Sequence, residues 1–137
     1  MVKTRSLGLD IGDRRIGVAM SDPQGILASP LTIIERTDEP ADISAILAII
    51  EQNEVGMVIA GLPLSLRGDI GPQAAKVSDF IRELSKHTKV PVELRDERLT
   101  TVSARRLMRT LGKPRKARDD AVAAALILQE YLDERIA

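Results

Sequence analysis

The sequence predicts an α/β fold in which a mixed five-stranded sheet is flanked by helices. Short apolar runs come first and then alternate with amphipathic segments, in the order βββαβαβαα, which contains two βαβ crossovers. The run at 55–60, VGMVIA, is continuously apolar, as is typical of a central strand covered on both faces. A length of 137 residues suits one such unit, so a single domain over residues 1–137 is expected.

The first two strands are predicted to form a hairpin. They cover residues 5–11 and 16–21, and a turn rich in Gly, Asp and Arg joins them. A third strand at 26–34 follows a second turn. Pro30 removes one ladder donor from it, so we expect this strand at an edge of the sheet.

The remaining chain alternates helices with strands. Thr37 or Asp38 can cap the first helix, whose apolar residues share one face: Ile43, Ile46, Leu47 and Ile50. The predicted elements that follow are a strand at 55–60 ended by Gly61-Leu62-Pro63, a loop at 64–71, a helix at 72–87, a strand at 90–94, a helix from Thr100 or Thr101 to Gly112, a basic loop at 113–118 and a helix at 119–134.

Composition excludes several kinds of site. The chain has no cysteine, which excludes disulfides, thiolate nucleophiles and Cys-based zinc sites, and its one histidine, His87, cannot build a His-rich metal site. Two aromatic residues are too few for a base-stacking platform. No apolar run approaches the roughly 18 residues of a membrane span and no secretory segment is evident, so a cytoplasmic protein with no membrane partner is expected.

Charge is balanced overall but unevenly distributed. The formal net charge is zero, yet the segment 105–118 carries seven basic residues and no acidic one. Such a run is either a solvated face or a surface that holds phosphates.

Four acidic residues stand at informative positions: Asp10, Asp96, Glu97 and Asp120. An aspartate within an apolar strand is costly unless its charge is compensated, and Asp10 alternates with the leucines of its strand, so it points away from their face. A solvent-facing strand aspartate is the alternative. The neighbouring Gly12 and Gly17 favour a ligand, because they indicate backbone kept clear of side chains.

Asp120 lies at the start of the last predicted helix. Its neighbours at i+3, i+4 and i+7 are Ala123, Ala124 and Ile127, a face small enough for the helix to lie close to the sheet. A short Asp side chain could then reach a carboxylate on the first strand. The alternative is an acidic residue favoured by the helix dipole.

Carboxylates brought together repel unless cations intervene, and oxygen ligands without Cys or His favour Mg²⁺ or Mn²⁺. Two such ions about 4 Å apart can activate water and stabilise the leaving oxygen in phosphodiester hydrolysis. The basic segment 105–118 joins the helix after Asp96-Glu97 to the helix of Asp120 and is suited to holding phosphates beside the carboxylates.

Four segments resemble the YqgF/RuvX family of Holliday-junction-resolvase-like proteins, also described as nucleases that mature pre-16S ribosomal RNA. They are GLDIGDRRIGVAMSD (8–22), GLPLSLRG (61–68), DERLTT (96–101) and DAVAAALILQ (120–129). The resemblance covers nearly the whole chain in the same order and spacing. It implies a ribonuclease H-like fold and a role in processing the 5′ end of small-subunit ribosomal RNA.

The resemblance also implies site residues. Asp10, Glu97 and Asp120 would be the acidic triad, catalytic and metal-binding, with Asp10 bridging two Mg²⁺ or Mn²⁺ ions. The residues implied or expected to contact substrate phosphates are Arg14, Arg15, Arg67, Arg98, Arg115 and Lys116. The expected partners are pre-ribosomal RNA, structured DNA or a ribosomal precursor particle, with the protein a monomer or homodimer.

This chain departs from the family pattern at the loop after GLPL, which reads Ser65-Leu66-Arg67-Gly68 rather than a polar or acidic stretch. The basic loop before the last helix is short. In related resolvases a carboxylate lies on the fourth strand, whereas here that strand ends in glycine and proline, so the second acid must come from the fifth strand.

Three other interpretations remain open. A D-x-G hairpin also occurs in actin-like ATPases and sugar kinases, but those folds need two such domains around the nucleotide. A non-catalytic RNA-binding assembly factor would use the carboxylates only weakly or for stability. A junction-cutting DNA endonuclease would use the same metal chemistry, because an acidic triad does not distinguish RNA from DNA.

Overall fold

The computed structural model of the protein describes residues 5–64, 68–96 and 117–136. These residues form five strands and three helices. In chain order they are β1 (Arg5–Ile11), β2 (Arg15–Ser21), β3 (Ala28–Glu35), α1 (Glu39–Gln52), β4 (Val55–Leu62), α2 (Pro72–Ser85), β5 (Val92–Asp96) and α3 (Ala117–Ile136). The predicted helix from Thr100 or Thr101 to Gly112 lies outside the described residues.

The strands form one mixed sheet in the order β3-β2-β1-β4-β5. β1 pairs antiparallel with β2 and parallel with β4, so the first strand is central. β3 lies at the edge, as Pro30 predicts. The predicted α/β class and the mixed five-stranded sheet are confirmed.

Helices cover both faces of the sheet. On one face α1 and α2 enclose the larger core, which includes Leu7, Leu9 and Ile11 of β1. On the other face α3 packs through Ala124 and Leu128 against residues that include Ala19 and Ile59. β1 therefore has a different helix layer on each side. Within the described ranges, no helix is both long and apolar enough to cross a bilayer.

Several predicted boundaries were wrong by a few residues, and in each case a hydrogen bond explains the difference. β4 continues through Leu62 because Gly61 and Leu62 pair with Arg95 and Asp96 of β5, which accordingly runs 92–96 rather than 90–94. α2 ends at Ser85, before 87, because the amides of Lys86 and His87 donate to carbonyls three residues back.

The edge strand and the first helix begin where side chains cap them. The Asp22 carboxylate accepts from the amides of Ile26 and Leu27, which keeps those residues in a turn, so β3 starts at Ala28 rather than 26. Asp38, one of two predicted caps, accepts from the Ala41 amide and starts α1.

The last helix is longer than predicted. It spans 117–136 rather than 119–134, so the predicted basic loop at 113–118 was wrong for its last two residues. Alanine at 117 and arginine at 118 are both good helix formers, which lets the helix start earlier.

Candidate active site

Two of the predicted carboxylates, Asp10 and Asp120, share one face of the sheet. Leu7, Leu9 and Ile11 belong to the core under α1 and α2, so the intervening residues of β1 face α3. A Cβ added to Gly8 would lie 2.7 Å from the Ala124 backbone oxygen, which places that strand face directly under the helix. Asp10 is the next residue on this face, as the alternation predicts.

A backbone contact brings Asp120 to the same place. Asp10 is in register with Gly17 of β2. A Cβ on Gly17 would overlap the backbone oxygen of Asp120, so α3 rests on the residue directly across from Asp10. Partners in an antiparallel pair lie about 4.5–5.5 Å apart between Cα atoms. The prediction that the small face of the last helix allows close approach to the sheet is confirmed.

The Asp120 carboxylate has a cationic neighbour. Arg15 precedes Gly17 by two residues on the same face of β2, and its Nε lies 3.3 Å from Asp120 Oδ2. The side chains are 39% and 14% exposed, respectively, so the acid is the more enclosed partner. Arg14, by contrast, is exposed in the turn between β1 and β2. Of the two arginines, Arg15 therefore lies at the carboxylates.

The donor set at this face fits a hard cation. Carboxylate oxygens are the ligands that Mg²⁺ and Mn²⁺ prefer. A positive group, the Arg15 guanidinium, already lies beside the Asp120 carboxylate. The described ranges contain no group of three or more Asp, Glu, His or Cys side chains that could hold a metal ion.

β4 and β5 contribute no carboxylate beside Asp10 within the described ranges. Leu9 pairs with Ala60, so Gly61 is the β4 residue next to Asp10, and it has no side chain. Asp96 is in register with Leu62, which packs on the core under α1 and α2, so Asp96 belongs to the opposite face. The next residue, Glu97, lies outside the described residues, as do Arg67, Arg98, Arg115 and Lys116.

The interpretation of the two glycines as clearance for a ligand was wrong. Gly17 makes room for the backbone of α3, and a Cβ on Gly12 would lie 2.8 Å from the Arg15 carbonyl oxygen within the turn. Both positions are explained by close backbone packing, which a sequence pattern does not distinguish from an approach to a ligand.

The sequence interpretation missed a buried ion pair beside this turn. Arg36 Nε donates to Asp42 Oδ2 at 2.9 Å, and Asp42 is only 2% exposed. Arg36 Nη1 also donates to the Gly12 carbonyl oxygen at 2.8 Å. The sequence contains a pattern that could have predicted the buried carboxylate. Asp42 stands one helical turn before the inward-facing Ile46 and so interrupts an apolar face.

Comparison with known proteins gives consistent relatives. Residues 4–134 match the RuvX family model, described as Holliday junction resolvase. A Roseiflexus protein named "Putative pre-16S rRNA nuclease" is 48% identical over 134 residues, covering 96% of this chain and 95% of the relative. A protein of the same name from Dehalococcoides mccartyi is 50% identical over 125 residues, covering 90% of this chain and 94% of the relative.

A solved structure has the same fold. The RuvC protein of T. thermophilus, in complex with a Holliday junction substrate, superimposes with a TM-score of 0.64 at 14% identity, over 98% of this chain and 96% of that one. The central antiparallel β1–β2 pair, the parallel β4 and β5 and the helix layers thus belong to the ribonuclease H-like α/β fold. The match over residues 4–134 and the near full-length identity establish that the chain belongs to the RuvX (YqgF) family.

Proposed function

We propose that this protein is a metal-dependent nuclease that cleaves phosphodiester bonds in the 5′-end maturation of pre-16S ribosomal RNA. The observation that carries the proposal is the contact of the Asp120 backbone with Gly17, the cross-strand partner of Asp10. This contact joins two carboxylates from opposite ends of the chain on one sheet face.

In this proposal Asp10, Asp120 and Glu97 hold Mg²⁺ or Mn²⁺. The bound cations would activate water and stabilise the leaving oxygen. Asp96 belongs to the face of the sheet opposite to that of Asp10. This placement argues against Asp96 as the third acid and supports Glu97, which the family resemblance implies.

The arginines have separate proposed roles. Arg15, as the counter-ion of Asp120, would neutralise the site and contact a phosphate that enters it, while Arg14 would meet the substrate from the exposed turn. Arg67, Arg98, Arg115 and Lys116 are proposed as further phosphate contacts. The named activity of the relatives supports a ribosomal precursor as the substrate. We further propose that the protein acts in the cytoplasm.

A direct test compares wild type with Asp10→Asn and Asp120→Asn on a pre-16S RNA fragment and a four-way DNA junction, each with Mg²⁺ or Mn²⁺. We expect metal-dependent cutting of the RNA, reduced at least about 10²-fold by either substitution, because losing even an outer-shell metal partner costs 10- to 100-fold. Asp13→Asn is the matched control, since this exposed turn aspartate lies three residues beyond Asp10.

The substrates distinguish the alternatives. Preferred cutting of the junction would replace the ribosomal proposal with junction resolution, the reaction named in the family description. If wild type cuts neither substrate, alone or on assembled precursor particles, and Asp10→Asn supports ribosomal RNA maturation in cells as well as wild type does, the nuclease proposal is wrong. Sizing of the active species would decide between monomer and homodimer.

A further inference from the structure

Arg36 connects three parts of the fold: the β1–β2 turn, α1 and α2. Its Nε donates to Asp42 at the start of α1, and its Nη1 donates to the carbonyl oxygen of Gly12 at 2.8 Å. Its backbone amide donates to the Arg14 carbonyl oxygen at 2.9 Å. Its guanidinium lies over the Phe80 ring of α2, 4.9 Å from the centroid. One side chain therefore joins the β1–β2 turn to both helices on the far face of the sheet.

The carboxylate that holds Arg36 is fully enclosed. Asp42 is 2% exposed, and its second oxygen accepts from the Thr37 amide at 3.1 Å. A buried carboxylate is costly without such partners, and a buried ion pair is often no more stabilising than apolar residues of similar volume. Stability alone is therefore a weak reason for an ion pair here.

The turn that Arg36 holds carries the residues of the candidate site. Gly12 follows Asp10 by two residues, and its amide donates to the Arg15 carbonyl oxygen at 2.9 Å, which closes the turn. The two carbonyl oxygens that Arg36 contacts, those of Gly12 and Arg14, flank the turn between Asp10 and Arg15. A shift of this turn would move both residues relative to Asp120.

We propose that the Arg36–Asp42 pair positions the β1–β2 turn, and through it Asp10 and Arg15, for the nuclease reaction. The pair is a positioning device and does not touch substrate; its role in catalysis rests on the proposed function. The guanidinium suits this task because its planar fork donates in fixed directions to Asp42 and Gly12 at once, which a lysine ammonium does not do.

The test replaces both charges together, in Arg36→Met with Asp42→Leu, so that no buried charge is left unpaired. The matched control is Arg82→Met with Asp79→Leu, which removes an exposed ion pair of α2. We expect unfolding free energies close to wild type for both. At saturating RNA and Mg²⁺, kcat of the Arg36/Asp42 variant should fall about 10²-fold with little change in KM, because misplacement by about 1 Å has a cost of that order.

Amide hydrogen exchange gives a second readout that does not need activity. Residues 12–15 should exchange faster in the Arg36/Asp42 variant at unchanged global stability, and at the wild-type rate in the control. In a folded Arg36/Asp42 variant, a wild-type kcat would overturn the proposal, and so would wild-type exchange at residues 12–15. If that variant does not fold, Arg36→Lys decides, since it keeps a charge for Asp42 and is expected to lower kcat while retaining the fold.

The two proposals fail in different ways. If wild type cuts neither RNA nor DNA, the nuclease proposal fails, and exchange at residues 12–15 alone judges the positioning role. If wild type cuts RNA and the Arg36/Asp42 variant cuts it at the same kcat, the nuclease stands and the positioning proposal is overturned.

Discussion

Arg15 forms an ion pair with Asp120, one of the proposed metal ligands. The pair joins β2 to α3 with 3.3 Å between Nε and Oδ2, and Arg15 is 39% exposed. A partly exposed pair contributes about 0.2–1 kcal/mol, so a divalent cation can displace the guanidinium at small cost. Arg15 then competes with the metal for one carboxylate and, once displaced, is available to a phosphate.

Arg15→Gln should therefore raise the affinity for Mg²⁺ by about 1.4- to five-fold, the equivalent of the lost ion pair. Arg14→Gln removes the same charge from the exposed turn and should have a smaller effect. Isothermal titration calorimetry with Mg²⁺ measures the affinity of each variant. Equal gains in Mg²⁺ affinity in the two variants would mean that only net charge matters. A lower Mg²⁺ affinity of Arg15→Gln than of wild type would show that Arg15 supports metal binding.

Asp22 makes the stability of the edge turn depend on pH. Backbone amides, that of Leu27 first and then that of Ile26, donate to its carboxylate and hold the pKa of Asp22 below its usual 3.8. Because the folded-state pKa is lowered, this stabilisation is present above pH 3.8 and is lost as the pH falls through the folded-state value.

Asp22→Asn keeps the acceptor oxygen but removes the charge. We expect the variant to be less stable than wild type at pH 7, and the difference to narrow as the pH falls below 3.8. Urea unfolding at pH 7 and pH 3 provides the comparison. If the stability difference between Asp22→Asn and wild type is the same at both pH values, it comes from the shape of the side chain rather than from its charge.

At the scale of elements, the contact between α3 and the β1–β2 hairpin determines the site. Gly8 and Gly17 let the helix backbone approach the sheet, and Ala124 and Leu128 fill the contact. A methyl group at Gly17 would force the helix away at the position of Asp120. Stability and the geometry of the two carboxylates are thus coupled at one residue.

Gly17→Ala should destabilise the protein by about 1–3 kcal/mol, the usual cost of overpacking, and weaken Mg²⁺ binding. Gly71→Ala is the control, because its added methyl would meet no atom within 4 Å. Denaturant unfolding and metal titration of both variants test this. If Gly17→Ala has the same free energy of unfolding as wild type, α3 can shift to make room for the methyl group without loss of stability.

Local patterns predicted the elements but not the contacts that join them. The edge position of β3 and the direction of Asp10 followed from Pro30 and from simple alternation along a strand. The ends of β4 and β5 did not, because they depend on pairing between strands 34 residues apart in sequence, as in Gly61 with Arg95. For the same reason Gly17 was misinterpreted and the Arg36–Asp42 pair was missed, whereas the close approach of α3 to the sheet was anticipated from the small face of that helix.

At the scale of the whole molecule, metal binding and folding should be linked. Asp10 and Asp120 bring negative charges to one face, and a ligand that binds only the folded state stabilises it by about 2.7 kcal/mol at 100 times its Kd. We expect Mg²⁺ to raise the Tm of wild type. Asp10→Asn should abolish most of the response of the Tm to Mg²⁺.

Thermal unfolding of wild type, Asp10→Asn and the control Asp13→Asn over a range of Mg²⁺ concentrations measures this linkage. The control should follow wild type, because Asp13 is exposed in the turn. An equal Mg²⁺ response in all three proteins would contradict a metal site at Asp10.

The contact of Arg15 with Asp120 joins residues 105 positions apart. A ribosome delivers the chain from its N-terminus at about 5–20 residues per second, so several seconds separate the synthesis of the two halves of the site. During that interval the hairpin with Asp10 exists without its helix. If the proposed function is correct, a nascent chain that has not yet reached Asp120 lacks one carboxylate of the site and cannot cut ribosomal RNA by this chemistry.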